Sequence, residues 1–162
     1  MNGCAFMKIK TPIGDFWIAA TEKGIYQASF TPIEIANECL CNPHLIQAKQ
    51  ELLAYFKKER TEFTVPLDIS KGTPFQQAVW HGLLTIPYGE TRSYQQVAEH
   101  IDNPKAVRAI GQANRNNPLP IFIPCHRVIG KNGQLTGYLG TSGIELKKFL
   151  LHLEDIPLPK NQ

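Results

Sequence analysis

A two-part α+β fold is predicted: a small antiparallel sheet with a covering helix, then a mainly helical part carrying a loop with reactive side chains. Three features of the sequence predict it. Apolar residues cluster in short runs around turn signals between residues 6 and 30, they recur at helical spacing over residues 45–58, and beyond Gly72 three helix-start signals follow in close order.

Phe6 to Lys10 and Phe16 to Thr21 read as two strands around the turn residues Thr11-Pro12-Ile13-Gly14-Asp15, and Gly24 to Phe30 as a third. Leu45, Ala48, Leu52, Tyr55 and Phe56 form the apolar stripe of an amphipathic helix, with Gln47, Lys49, Glu51, Lys57 and Lys58 on its other face. Arg60 to Gly72, with Pro66, reads as an irregular or extended connector, which divides the chain into domains 1–72 and 73–162.

Thr73-Pro74-Phe75-Gln76 combines an N-cap, a first-turn proline and a capping-box glutamine, opening a helix to about Ile86 that Pro87-Tyr88-Gly89 ends. Ser93-Tyr94-Gln95-Gln96 offers a second capping box, for a short helix through Ala98. Asn103-Pro104 repeats the cap-and-proline arrangement for a helix from Lys105 to about Arg115. Two short helices with so brief a connection have the dimensions of a helix-turn-helix, although spacing alone favours an ordinary helical hairpin. Ala106, Ala109, Gly111 and Ala113 would let the second helix approach a narrow groove closely, and Arg108 is the long cation among them.

Leu119 to Ile123 is an apolar run broken by Pro120, and at its exit stand Cys125 and His126. In an extended chain neighbouring side chains point apart, so His126 is expected to act on Cys125 through a water unless the backbone bends sharply. A nucleophilic cysteine must lose its proton, and a histidine backed by a carboxylate is the usual arrangement. The last helix, with Leu146, Phe149, Leu150 and Leu153 as its core stripe, supplies Glu154, or failing that Asp155. Between them lies a segment with glycines at 130, 133, 137, 140 and 143, in which Tyr138 is a candidate pocket wall.

Composition narrows the setting. The 162 residues carry a formal net charge of +3, and the whole excess lies beyond residue 72, where nine basic residues face six acidic ones. That balance suits a polyanionic partner without requiring one. Four cysteines make no disulfide framework, the first ten residues lack the apolar segment of a secretory signal, and no apolar run approaches the ~20 residues of a membrane span. A soluble, cytoplasmic protein is expected.

Gly72-Thr73-Pro74-Phe75-Gln76-Gln77-Ala78-Val79-Trp80, Ile86-Pro87-Tyr88-Gly89-Glu90-Thr91, Ser93-Tyr94, Ala113-Asn114-Arg115-Asn116-Asn117-Pro118 and Ile123-Pro124-Cys125-His126-Arg127-Val128, with Thr11-Pro12-Ile13-Gly14 near the start, together resemble the O6-alkylguanine-DNA alkyltransferases, also called methylated-DNA-protein-cysteine methyltransferases. The resemblance implies a ribonuclease H-like first domain and a DNA-binding second one. It implies that Cys125 accepts the alkyl group, that His126 and Glu154 reach it through a water, that Asn117 braces its turn, and that Tyr94 gives a hydrogen bond or proton to guanine N3. Arg108, in place of the flipped nucleotide, would bind DNA with Ser93, Tyr94, Ala106 and Arg115. Tyr94, Val128, Tyr138, Leu139 and Pro120 would form the base pocket.

The implied partner is duplex DNA containing O6-alkylguanine, or O4-alkylthymine, bound by a monomer through the minor groove, with no membrane partner and no cofactor. A Cys/His hydrolase and a non-catalytic reader of alkylated DNA are the rival readings. Where relatives have tyrosine-x-glycine-glycine-leucine, this chain has Tyr138-Leu139-Gly140-Thr141-Ser142-Gly143-Ile144, about two residues longer. Cys4, Cys39, Cys41 and His44 do not match a zinc spacing, so no metal is expected.

Overall fold

Short polar turns close two successive hairpins. Strand β1 (Ala5–Thr11) pairs antiparallel with β2 (Gly14–Thr21), and β2 with β3 (Gly24–Ser29), in the order β1-β2-β3. In the computed structural model, residues 5–33, 42–130, 133, 135 and 143–157 are described. They fall in two compact units, Met1–Lys71 and Gly72–Gln162.

In the first unit, Ala5, Met7 and Ile9 of β1 face Ala20, Ile18 and Phe16 of β2 in register, and all six are buried. The period of two places them on one face, which helix α1 (Pro43–Phe56) covers with Leu45, Ala48, Leu52, Tyr55 and Phe56. Each large side chain so buried contributes about 1.5–3 kcal/mol. The helix starts two residues before Leu45 because Asn42 Oδ1 accepts from the backbone N–H of His44 (2.8 Å) and Leu45 (3.2 Å), with Pro43 in the first turn. It stops at Phe56, and Lys58 then takes a positive φ of 62°.

Glu51 is not on the solvent face. It is 5% exposed because its carboxylate accepts from the backbone N–H of Thr64 (2.9 Å) and Val65 (3.1 Å), the Thr64 hydroxyl, Gln47 and Arg60. Those bonds pin the connector to α1. The connector is also tied to β3, where Ile25 N–H donates to Pro66 O and Asp68 N–H to Ile25 O. Gly24, at φ +149°, allows the approach: a Cβ there would lie 2.5 Å from Pro66 O.

The second unit begins with α2 (Pro74–Leu84), then β4 (Arg92–Ser93), α3 (Tyr94–His100), α4 (Val107–Arg115), β5 (Val128–Ile129) and α5 (Ile144–Leu153). Both capping boxes form, Thr73 with Gln76 and Ser93 with Gln96. Asn103-Pro104 does not cap the following helix. Ala106 N–H closes a turn onto Asn103 O, and α4 starts at Val107 after Ala106, with no side chain capping it. Trp80, buried on α2, donates its indole N–H to Ala113 O (2.9 Å) and ties α4 to α2.

Candidate active site

The chain before Cys125 is held as a rigid, buried turn. Leu119 to Ile123 is fully covered, and Ile121 sits at φ +76°, a conformation that costs a β-branched residue about 1–3 kcal/mol and persists only where the surroundings dictate it. Buried Asn117 dictates much of it: its Nδ2 donates to Ile123 O (2.9 Å), and its Oδ1 accepts from Leu119 N–H (2.9 Å). Pro120 is buried in the same turn and bridges to Ile123.

Cys125 then opens a single 3-10 turn, Cys125–Arg127, closed by Arg127 N–H to Pro124 O (3.0 Å). The extended geometry expected for this stretch is therefore replaced. With three residues per turn, successive side chains are about 120° apart rather than opposed. Cys125 is a buried thiol in no disulfide, and its carbonyl accepts from Asn114 Nδ2 (3.5 Å).

His126 is wholly buried and makes no hydrogen bond to Cys125. Its Nε2 lies 2.7 Å from Glu154 Oε2, while Nδ1 has no partner among the described residues. Arg127 grips the same carboxylate with Nε (2.8 Å) and Nη2 (3.0 Å), and sends Nη1 to Ile86 O (2.7 Å). Burial alone would raise the Glu154 pKa. The hydrogen bonds from His126 and Arg127, with the guanidinium charge, outweigh it and hold the carboxyl at about 2. Burial pushes His126 the other way, toward the neutral ring, and Arg127 and Lys147 add to that against the pull of Glu154. A carboxylate only accepts, so neutral His126 carries its proton on Nε2 and keeps a basic lone pair on Nδ1.

Glu154 caps the C-terminal end of α5, and Asp155 beside it is exposed. The helix is rotated relative to the expected stripe: Lys147, Leu150 and Leu151 are buried, whereas Phe149 is 38% exposed. Lys147 takes the inner face because its ammonium donates to Val128 O at 2.6 Å. Lys147 and Arg127 are the site residues that sequence reasoning missed. Arg127 stands inside the Pro-Cys-His-Arg motif with no role given by the sequence, and Lys147, between Leu146 and Lys148, falls outside the expected core stripe, as a lysine ordinarily would.

A two-residue parallel pairing of Arg92 with Val128 and Ser93 with Ile129 fastens the start of α3 beside the turn that follows Cys125. Half-buried Tyr94, the first residue of α3, follows directly on that pairing. On α4, Arg108 and Arg115 are exposed, Ala106 is half-buried, and a Cβ on Gly111 would meet open space. Ala113 is not on that open face; it is buried over Trp80. Tyr138 and Leu139 lie outside the described residues, as do Cys4, Cys39 and Cys41. His44 is hydrogen-bonded to Glu22 O (2.9 Å), and no cluster of His, Cys, Asp and Glu able to hold a metal occurs among the described residues. Among them too, no helix is long and apolar enough to cross a membrane.

Two family models match the chain: the 6-O-methylguanine DNA methyltransferase ribonuclease-like domain over residues 5–69, and its DNA-binding domain over residues 74–156. The constitutive methylated-DNA--protein-cysteine methyltransferase of Bacillus subtilis is 50% identical over 155 residues, covering 91% of this chain and 93% of the relative. Among solved structures, the O6-methylguanine methyltransferase of Mycobacterium tuberculosis superposes with a TM-score of 0.83 at 42% identity, covering 97% of this chain and 96% of the other. The M. tuberculosis OGT solved in complex with DNA matches with the same score at 43% identity and 93% coverage of each chain.

Proposed function

Since the chain belongs to the 6-O-methylguanine DNA methyltransferase family, we propose that it repairs O6-alkylguanine in duplex DNA by moving the alkyl group onto its own Cys125, once per molecule. The observation that carries this reading is the arrangement at the turn: a buried thiol next in sequence to a neutral histidine whose Nε2 is engaged by Glu154 and whose Nδ1 is open.

The thiol proton passes to His126 Nδ1 through an intervening water, and Glu154 stabilises the cationic ring that forms. Arg127 keeps that carboxylate ionised and oriented. The thiolate attacks the alkyl carbon, a C–S bond forms, and the C–O6 bond breaks with its electron pair leaving on guanine. Tyr94 donates a hydrogen bond or proton at N3, so guanine departs without a full negative charge. The product is a thioether, which water does not cleave, and that makes the protein a single-use acceptor.

Delivery of the base rests on the open face of α4. Its exposed Arg108 enters the stack in place of the flipped nucleotide, and the bare surface around Gly111 permits close approach to the minor groove. O4-alkylthymine is a second substrate by the same chemistry.

Incubation with duplex DNA carrying one O6-methylguanine, followed by peptide mass spectrometry, tests the proposal. One methyl group is expected on the Cys125 peptide, one per protein, and none in Cys125→Ser. Turnover beyond one per molecule, or methyl transfer by Cys125→Ser, sinks it.

A further inference from the structure

Among the described groups buried around Cys125, Lys147 has no anion to pair with unless the cysteine is ionised. Arg127 and Glu154 neutralise one another through their two hydrogen bonds, and His126 is neutral. That leaves Lys147. Its side chain is fully buried, its single hydrogen bond among the described residues is to the uncharged carbonyl of Val128, and no carboxylate there pairs with it. An isolated buried ammonium is costly enough that such groups are paired or lose their proton. Burial accordingly draws the Lys147 pKa down to about 8, and the influence that opposes this is the charge of Cys125.

The positions support the pairing. Helix α5, which carries Lys147, packs against the turn that carries Cys125, and Val128, which receives the ammonium, is the residue that ends that turn. The other ionisable groups packed there are His126, Arg127 and Glu154, already satisfied with one another, and Tyr88, whose ring lies 5.8 Å from the Arg127 guanidinium carbon.

We propose that Lys147 is the counter-ion of the Cys125 thiolate, so that its buried charge is paired only while the sulfur is ionised and alkylation of Cys125 strands Lys147 as an unpaired buried cation. Loss of charge at sulfur then drives Lys147 toward its neutral form. This role goes beyond the histidine relay, and its last step rests on Cys125 being the alkyl acceptor.

The test is a lysine side-chain ¹³C NMR titration of the full chain, with Lys147 assigned from the resonance missing in Lys147→Arg. In Cys125→Ser, which keeps the shape but cannot ionise in this range, the Lys147 midpoint should fall by about one unit or more relative to wild type. The S-methylated protein should behave like Cys125→Ser. Equal midpoints in wild type and Cys125→Ser overturn the proposal. A reciprocal measurement follows the pH dependence of Cys125 alkylation by iodoacetamide, read on its peptide: Lys147→Met should shift the midpoint up by about one unit or more, and Lys147→Arg should restore it in part. An unshifted profile in a folded Lys147→Met counts equally against it. If Lys147→Met does not fold, the Cys125→Ser titration decides. Neither the Cys125→Ser nor the iodoacetamide experiment uses DNA, so failure of the counter-ion is distinguishable from failure of alkyl transfer to Cys125.

Discussion

Replacing Glu154 with glutamine removes one negative charge and almost no volume from the centre of the site. The carboxylate accepts two hydrogen bonds from Arg127 and one from His126, at 2.7–3.0 Å, and is buried. Two routes to the magnitude agree. Removing one partner of a buried ion pair costs about 3–5 kcal/mol, because the other charge is left unpaired. Independently, a carboxyl held at about 2 instead of 4.5 corresponds to about 3 kcal/mol of preference for the folded, ionised state. Glu154→Gln should therefore lower unfolding free energy by about 3 kcal/mol in urea denaturation at pH 7.

The pH dependence has a definite sign. Because the folded-state pKa lies below the unfolded one, the stabilisation is fully present above about pH 5 and is lost as pH falls through 4.5 toward 2. The gap between wild type and Glu154→Gln should shrink over that interval, and exposed Glu145→Gln should produce no such gap. A cost under about 1 kcal/mol, or a gap that stays constant from pH 5 to 3, would refute the idea that the charge of Glu154 clamps Arg127 and His126.

Asn117→Ala deletes two buried hydrogen bonds and leaves Leu119 N–H without its partner, while Ile123 O keeps only the Cys125 N–H, so thermal or urea unfolding should show a loss of about 2–4 kcal/mol. The methyl-transfer rate should fall as well, since those bonds shape the turn before Cys125. Arg108→Ala, on the exposed face of α4, should leave the unfolding curve unchanged but slow methyl transfer from duplex DNA by at least about tenfold. Transfer from free O6-alkylguanine base, which requires no flipping, should be unaffected; equal slowing on both substrates would argue against the intercalating role.

Local signals carried most of the α+β architecture. Side-chain alternation around Thr11–Asp15, the stripe from Leu45 to Phe56 and the capping boxes at Thr73 and Ser93 each act within a few residues, so the chemistry that forms those elements is written beside them. The Pro-Cys-His-Arg segment and Glu154 were legible as a set of chemical types. Local chemistry along the chain therefore specifies the elements and the candidate reactive groups.

How those groups are wired depends on contacts between distant parts of the chain. The bend at Cys125 comes from Asn117 gripping residues two and six positions ahead, which turns an apparently extended run into a 3-10 turn. Glu51 and Lys147 look like surface charges in any local reading; each is buried because distant backbone supplies its partners, at Thr64 and Val65 for one and at Val128 for the other. The His126–Glu154–Arg127 clamp likewise joins positions 27 and 28 residues apart. Periodicity records which face of an element is apolar, but a buried charge is set by the summed field and hydrogen bonds of groups far away in the chain. For that reason the counter-ion facing Cys125 emerges only when α5 is packed against the turn.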